Sequence, residues 1–128
     1  MAGASAEMRL VLIGLAGAAG ALSRYGIGQA IGPRSFPWAT LGINVVGAFV
    51  LGVVLGGPGV DRWSTTVTDA VAVGFLGAFT TFSTFAYETT AMLRADRAAA
   101  AFGYVALSLA LGLGASALGF VVGRAAVT

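Results

Sequence analysis

The sequence predicts an all-α integral membrane protein that forms one membrane domain over residues 1–128. Hydrophobic residues make up 58% of the chain and charged residues only 9%. A soluble domain carries about a quarter charged residues, so this chain has too little polar material to cover a surface that faces water. Most of the outer surface is therefore expected to face lipid.

Four long apolar runs, at about 10–31, 37–57, 67–93 and 98–122, predict four transmembrane helices per subunit. Each run reaches the roughly 20 residues that a helix needs to cross a hydrocarbon core of about 30 Å. The first run is longer than the apolar part of a signal peptide and similar runs follow it, so we predict a spanning helix there as well.

The composition excludes several classes of protein. His and Cys are absent, which removes thiolate chemistry, disulfides and the commonest metal ligand. The chain offers no nucleophile paired with a base and no cluster of metal ligands, so we expect no enzyme. All seven basic residues are Arg and they form no basic run, which gives no support for nucleic acid as a partner.

The loop arginines give almost no signal for orientation in the membrane. With four spans, three arginines lie on each side: Arg9, Arg62 and Arg124 against Arg34, Arg94 and Arg97. The positive-inside rule needs an excess of positive charge on one side. Two interpretations stay open, namely chance in a small protein or insertion in both orientations followed by antiparallel pairing.

Two glycine pairs have the four-residue spacing that allows helices to approach closely. They are Gly52 with Gly56 and Gly119 with Gly123. Small residues at this spacing let two helix backbones come into contact. The pattern fits packing inside one subunit, and it also fits a contact between two subunits.

The third span contains an unusually polar stretch at residues 74–85, where Thr80, Thr81, Ser83 and Thr84 place hydroxyl groups around much of the helix. Threonine and glycine both weaken helical regularity. A broken helix exposes backbone carbonyl groups, which are tolerated at membrane depth where they line a cavity and can coordinate a cation. The alternative is a continuous helix whose hydroxyls bond to carbonyls four residues earlier.

Phenylalanines recur through the same stretch. Phe75, Phe79 and Phe82 follow a helical stripe, whereas the last ring is Phe85 rather than the stripe position Ala86. Phe82 and Phe85 are three residues apart and share a face. They either pack against lipid or protein, or they present the positive edges of their rings to a small anion.

Three further polar residues in the spans need an explanation. Asn44 must find a partner, either by bridging helices or by donating to an anion. Tyr104 and Ser108 lie four residues apart on one face of the last span. With Asn44 they form either a polar track or ordinary packing contacts between helices.

Arg24 lies well inside the first span, where a charged side chain indicates a function by default. It is expected to attract an anion, to pair with a carboxylate, or to extend its charge toward the membrane surface. Glu88, near the end of the third span, is a possible partner.

Three segments resemble the Fluc/CrcB-type fluoride channel family. Residues 16–25 (AGAAGALSRY) resemble the pattern GGxxGAxxRY, and residues 37–47 (PWATLGINVVG) resemble PxGTLxxNxxG. Residues 74–85 (GFLGAFTTFSTF) resemble GFxGGxTTFSTF, which is the most specific of the three. Ala16, Ala39 and Ala78 each replace a family glycine, which is a change of one methyl group at a packing position.

The resemblance implies a fluoride-specific ion channel that lets fluoride leave passively and so lowers cytoplasmic fluoride. It also implies a multi-pass protein of the bacterial plasma membrane whose third helix is broken. The partners implied are the lipid bilayer, the fluoride ion and a second copy, in an antiparallel dual-topology homodimer.

The resemblance further implies roles for particular residues. The fluoride pathway would contain Asn44, Phe82, Phe85, Tyr104 and Ser108, with Thr40 and Thr84. Arg24 and Glu88 would act near the vestibules or in the structure. Backbone carbonyls of Gly77 and Thr80 would hold a structural sodium ion at the centre of the dimer.

Two rival functions come from other classes. A small multidrug-resistance-type transporter exchanges protons for drugs through a carboxylate in its first span, but here that span has Arg24 and the cycle would have to use Glu88 or Asp69. A structural subunit without transport would explain the glycines but not the polar third span. No nucleotide-binding P-loop is present, as expected for a passive pathway.

Overall fold

The computed structural model describes residues 5–128, and within this range the regular structure is helical. Four helical stretches are long and apolar enough to span a membrane, which confirms the prediction of four spans. Residues 1–4 of the predicted domain lie outside the described residues. The helices are α1 (Ala6–Ile31), α2 (Trp38–Gly56), α3 (Pro58–Asp61), α4 (Thr65–Asp69), a π-helix (Ala70–Leu76), α5 (Gly77–Phe79), α6 (Phe82–Arg94) and α7 (Ala98–Val127).

The first helix begins earlier and the last helix ends later than their apolar runs. The Ser5 hydroxyl accepts the Met8 N–H at 3.1 Å and caps α1, so the helix starts before position 10. At the other extreme, α7 continues to Val127. Arg124 in its last turn is well placed to stabilise the negative end of the helix dipole.

The glycine pairs hold α2 against α7 inside one subunit. A Cβ atom at Gly56 would lie 2.5 Å from the Phe120 carbonyl oxygen. Cβ atoms at Gly52, Gly119 and Gly123 would lie closer still to carbonyl oxygens of the facing helix. The interpretation of these glycines as packing contacts within the subunit is therefore confirmed.

A second close contact joins α1 to the middle of the third span. α1 packs mainly against the π-helix and α5. A Cβ atom at Gly20 would overlap the Phe75 carbonyl oxygen, and one at Gly74 would lie 2.7 Å from the Ile13 carbonyl oxygen. The subunit therefore consists of two closely packed pairs, α2 with α7 and α1 with the π-helix and α5.

A small core joins α6 to the first of these pairs, α2 with α7. It contains Leu41, Met92, Ala101 and Tyr104, and Phe85 packs against it. Tyr104 has no solvent-exposed surface. This core fixes the orientation of α6 relative to α2 and α7, and with it the position of Phe85.

The bundle has two ends that differ in their connections. We call the end where α1 begins the first end; it also holds the connection at 57–64 and the end of α7. We call the end where α1 stops the second end; it holds the connections at 32–37 and 95–97. Each end is expected at one membrane surface.

Candidate functional site

The third span is interrupted at two residues near its middle. α5 ends at Phe79 and α6 begins at Phe82. Between them Thr80 has φ −79° and ψ 158°, and Thr81 has φ −150° and ψ 112°, so both are extended. Of the two interpretations left open by the sequence, the structure adopts the interrupted helix.

Threonine hydroxyls stabilise both edges of the interruption. Thr80 Oγ1 donates to the Leu76 carbonyl oxygen at 3.1 Å, which is the bond to the residue four positions earlier that a continuous helix also permits. Thr81 Oγ1 accepts the Thr84 N–H at 3.2 Å and caps α6. The same hydroxyl donates to Thr84 Oγ1 at 2.9 Å.

Asn44 of α2 holds the interruption through its side-chain amide. Nδ2 donates to the Thr81 carbonyl oxygen at 3.0 Å, and Oδ1 accepts the Thr81 N–H at 2.8 Å. One N–H of the amide is used in this pair of bonds, and the other is available to a further acceptor. Asn44 therefore bridges two helices and keeps one donor for a ligand.

The interruption leaves carbonyl groups without their helical donors, and those of Gly77 and Thr80 are two of them. In a continuous helix, the Thr81 and Thr84 N–H groups would donate to the Gly77 and Thr80 carbonyl oxygens. Here these N–H groups donate to Asn44 Oδ1 and to Thr81 Oγ1 instead. Gly77 and Thr80 are the two residues that the family resemblance assigns to sodium.

Arg24 reaches the interruption from α1. Its Nε donates to the Ala78 carbonyl oxygen at 3.1 Å. Glu88 instead accepts the Thr40 hydroxyl at 2.6 Å. The suggested pairing of Arg24 with Glu88 is therefore wrong, because the guanidinium contacts a backbone carbonyl group and the carboxylate contacts a hydroxyl.

The two phenylalanines after the interruption lie together. The ring centroids of Phe82 and Phe85 are 5.7 Å apart, with the planes inclined by 52°. Phe82 is 79% exposed, whereas Phe85 is half-buried and its centroid lies 5.0 Å from that of Tyr104. Phe75 and Phe79 form a separate stacked pair before the interruption, so the helical stripe does not continue through it.

Tyr104 presents a polar group without a partner in the interior. Its ring meets Phe36 and Phe85 edge to face. Its hydroxyl oxygen is buried and makes no hydrogen bond to any part of the chain from residue 5 onward. A buried hydroxyl without a partner costs about 1–3 kcal/mol, so this group favours any acceptor that reaches it.

An open groove of about 440 Å³ brings most of the predicted site residues together. Phe85 lines the groove, and its ring also packs against the ring of Tyr104. Five predicted residues do not line the groove: Thr40, Thr84, Tyr104, Arg24 and Glu88. The predicted residues that do line it are Asn44, Gly77, Thr80, Phe82, Phe85 and Ser108.

Two features of the site gave no signal in the sequence. The partner of Arg24 is the backbone of Ala78, which any residue type would provide. The widened turn at Ala70–Leu76 lies in an apolar run with no proline and no distinctive pattern. Both depend on how the helices pack rather than on local residue types.

Comparison with known proteins agrees with these observations. Residues 11–120 match the family model described as CrcB-like protein, Camphor Resistance (CrcB). The chain is 44% identical over 121 residues to fluoride-specific ion channel FluC 1 of Symbiobacterium thermophilum, covering 91% of this chain and 98% of the relative. It is 40% identical over 122 residues to fluoride-specific ion channel FluC of Thermus thermophilus, covering 93% and 98%. With the interrupted third span and these matches along most of its length, the chain belongs to the CrcB family.

Proposed function

We propose that this chain forms a fluoride-specific ion channel through which fluoride leaves the cytoplasm passively. The observation that supports this best is the groove where Asn44, Ser108 and the two rings Phe82 and Phe85 meet beside the interrupted helix. The CrcB relatives named above carry the same function in their names. The activity is a transport function and not an enzymatic one.

The physical chemistry of fluoride makes a passive channel sufficient. HF is a neutral weak acid that crosses membranes and dissociates in a less acidic cytoplasm. An interior-negative membrane potential then drives the anion outward, at about 2.3 kcal/mol per charge per 100 mV. A selective pathway therefore lowers cytoplasmic fluoride without ATP.

The groove and the tyrosine behind it offer the donors that a small hydrated anion needs. The free N–H of Asn44, the Ser108 hydroxyl and the unpaired Tyr104 hydroxyl replace water around fluoride in turn. Phe82 and Phe85 contribute positive ring edges between these donors. A narrow path with few donors excludes larger anions such as chloride.

The remaining pathway residues act through their partners. The Thr40 hydroxyl donates to Glu88, so it orients the carboxylate. The Thr84 hydroxyl accepts from Thr81, so Thr84 maintains the cap of α6. Arg24 adds positive charge beside the Ala78 carbonyl group and so favours an anion near the interruption.

We infer that two copies pair as an antiparallel, dual-topology homodimer in a bacterial plasma membrane. The even division of the loop arginines supports insertion in both orientations. The groove supports pairing, because polar groups such as Asn44 and Thr80 line an open surface. Lipid cannot satisfy them, so a second copy is the better cover.

We also propose that the Gly77 and Thr80 carbonyl oxygens hold a structural sodium ion at the dimer centre. These oxygens fit such an ion, because they have lost their helical donors and hard cations prefer oxygen ligands. The described part of the chain contains no cluster of three or more acidic, His or Cys side chains that would compete. A bound sodium ion would supply positive potential and link the subunits.

Fluoride efflux from liposomes tests the channel directly. Purified protein is reconstituted with a potassium gradient, and valinomycin starts an efflux that a fluoride electrode follows. Rapid release of fluoride and not chloride supports the channel. Absence of fluoride release from well-folded dimers in sodium would reject the channel for the homodimer.

Replacing sodium by N-methylglucamine on both sides of the membrane tests the sodium site. Loss of fluoride release in this medium supports the site, and unchanged release opposes it.

The proton-coupled drug transporter finds no support in the site. Such an exchanger needs a carboxylate that is free to bind a proton or a cationic drug in turn. Asp69 lies 3.7 Å from Arg9, and Glu88 accepts the Thr40 hydroxyl at 2.6 Å. Both carboxylates that the alternative required are already engaged, and the first apolar run, at 10–31, contains Arg24 but no acidic residue.

A further inference from the structure

The two ends of the bundle carry different net charges. At the first end, three arginines face three acidic side chains, so the charges cancel: Arg9, Arg62 and Arg124 with Glu7, Asp61 and Asp69. At the second end, the connections and adjoining helix ends hold three arginines and one acidic side chain, and three minus one leaves a charge of +2: Arg34, Arg94 and Arg97 with Asp96. Arg24 and Glu88 lie deeper in the spans on this side, and their opposite charges leave that sum unchanged. Equal numbers of arginines thus give unequal surfaces.

Two of the three arginines at the first end form ion pairs. Arg124 lies 3.0 Å from Asp61, and Arg9 lies 3.7 Å from Asp69. The Arg62 guanidinium donates to a backbone carbonyl group near the end of α7. This end therefore offers little uncompensated charge to a ligand.

Two of the three arginines at the second end donate to backbone carbonyl groups, which carry no charge. Arg97 Nη1 donates to the Ser35 carbonyl oxygen at 2.5 Å, and Arg34 Nε donates to the Ile31 carbonyl oxygen at 3.3 Å. Within residues 5–128, neither of the two ion pairs lies at this end. All three arginines are exposed and keep their full positive charge available.

Two adjoining clefts bring these arginines beside aromatic side chains. A cleft of about 310 Å³ is lined by Arg34 and Trp38, and a cleft of about 320 Å³ is lined by Arg94. Both clefts share Tyr87 and Ala91, so they lie on either side of the same ridge on α6. Arg97 reaches the first cleft through its bond to Ser35, which lines it.

We propose that the second end binds the headgroup of an anionic phospholipid, represented by phosphatidylglycerol. Arg34 and Arg94 donate to the phosphate oxygens, because a guanidinium fork matches phosphate geometry. Trp38 and Tyr87, exposed by 56% and 75%, lie against the glycerol region as aromatic residues do at membrane interfaces.

The position of these residues favours a lipid over free phosphate. The clefts lie where the spans end, so a phosphate bound there has its acyl chains beside α6 and in the bilayer. Glu88 also lines the first cleft, and its charge opposes an anion. It lies six residues before Arg94, about 9 Å deeper along the helix, below the level of the headgroup.

Thermal unfolding in detergent tests this proposal independently of transport. We expect phosphatidylglycerol to raise the Tm of the purified protein, while phosphatidylcholine at the same concentration does not. The double variant Arg34→Gln/Arg94→Gln should lose this rise. The control Arg62→Gln/Arg124→Gln removes the same charge at the first end and should keep it. Native mass spectrometry provides a second readout, in which the first variant retains fewer phosphatidylglycerol molecules than the control.

Several results would overturn the lipid site. One is an equal rise in Tm with phosphatidylcholine, and another is an equal loss of the rise in both double variants, which would indicate general charge attraction. A rise of the same size with inorganic phosphate or glycerol phosphate would indicate a free-phosphate site. Reduced fluoride efflux in Arg34→Gln/Arg94→Gln with unchanged lipid retention would indicate a surface that collects fluoride.

Discussion

The Asn44 side chain and the Thr81 peptide group form a matched pair of hydrogen bonds, at 3.0 Å from Nδ2 and 2.8 Å to Oδ1. An amide side chain thus replaces the backbone partners that Thr81 would have in a continuous helix. The exchange frees the Gly77 carbonyl oxygen and fixes the start of α6, which positions Phe82 and Phe85. Local geometry at one asparagine connects the proposed cation site to the proposed anion path.

The first prediction concerns this pair of bonds. Asn44→Leu leaves the Thr81 N–H and carbonyl without the amide, and each unsatisfied buried group costs about 1–3 kcal/mol. We expect a lower unfolding temperature in detergent and loss of fluoride efflux. Ser116→Ala is the control, since Ser116 lines the same groove but is exposed. Equal stability of Asn44→Leu and the wild type would show that the pair does not hold the interruption.

The second prediction separates the two rings. Phe82→Ile and Phe85→Ile should both abolish fluoride efflux while dimers still assemble. Stability should differ, because Phe82 is 79% exposed and surface changes stay within about 0.5 kcal/mol. Phe85→Ile loses its aromatic contact with Tyr104, worth about 0.5–1.5 kcal/mol beyond buried area. Efflux at the wild-type rate in both variants would refute the role of the rings.

The third prediction tests the contact of α2 with α7. A Cβ atom at Gly119 would overlap the Phe49 carbonyl oxygen, so Gly119→Ala should destabilise the protein by about 1–3 kcal/mol. At Gly114, in the same helix, a Cβ atom meets nothing within 4 Å. Gly114→Ala should therefore be neutral or slightly stabilising, because alanine favours helix. Unfolding in denaturant compares the stability of the two variants. An equal loss of stability in both would contradict the close contact of α2 with α7.

The fourth prediction concerns the bond of Thr40 to Glu88. A double-mutant cycle of Thr40→Val and Glu88→Met should give a coupling energy of about 0.5–3 kcal/mol, as expected for residues in direct contact, because each variant removes one partner of the bond. Thr90→Val with Glu88→Met is the control, because the Thr90 hydroxyl bonds to the Ala86 carbonyl group. Additive effects in the Thr40 cycle would show that the bond contributes nothing to stability.

The fifth prediction addresses orientation in the membrane. Reporter fusions at the C-terminus should find this end on both sides of the membrane. One added arginine should then decide the orientation, since the existing charges balance. Thr128→Arg should place the first end in the cytoplasm, and Ala95→Arg should place the second end there. A C-terminus on one side only in the unmodified chain would refute dual topology.

The sequence predicted the four spans because length and hydropathy alone determine which segments enter a bilayer. It left the form of the third span open, because a threonine hydroxyl bonds equally well to a helical carbonyl group or to a free N–H group. The structure uses Thr80 in the first way and Thr81 in the second. Residue types by themselves could not distinguish these uses.

Other parts of the site depended on the partner that tertiary packing selects. Arg24 was expected to attract an anion, to pair with a carboxylate or to extend its charge toward the membrane surface, and packing also gives it a partner that none of these named, the Ala78 carbonyl group. Tyr104 and Ser108 share one helical face, but only Ser108 lines the groove, because the Tyr104 ring packs into the core. The spacing along the helix predicted that the two side chains share a face. It could not predict which of them would be buried in the core and which would line the groove.

The contact of α2 with α7 has a consequence for biosynthesis. The glycines of α2 meet their partners only after the last helix has left the ribosome, since Gly119 and Gly123 lie near the end of the chain. During translation, α2 therefore lies in the membrane or the translocon without its packing partner while the third span is synthesised. A nascent chain that stops before position 119 would lack this contact, so such fragments are expected to be early substrates for membrane proteases.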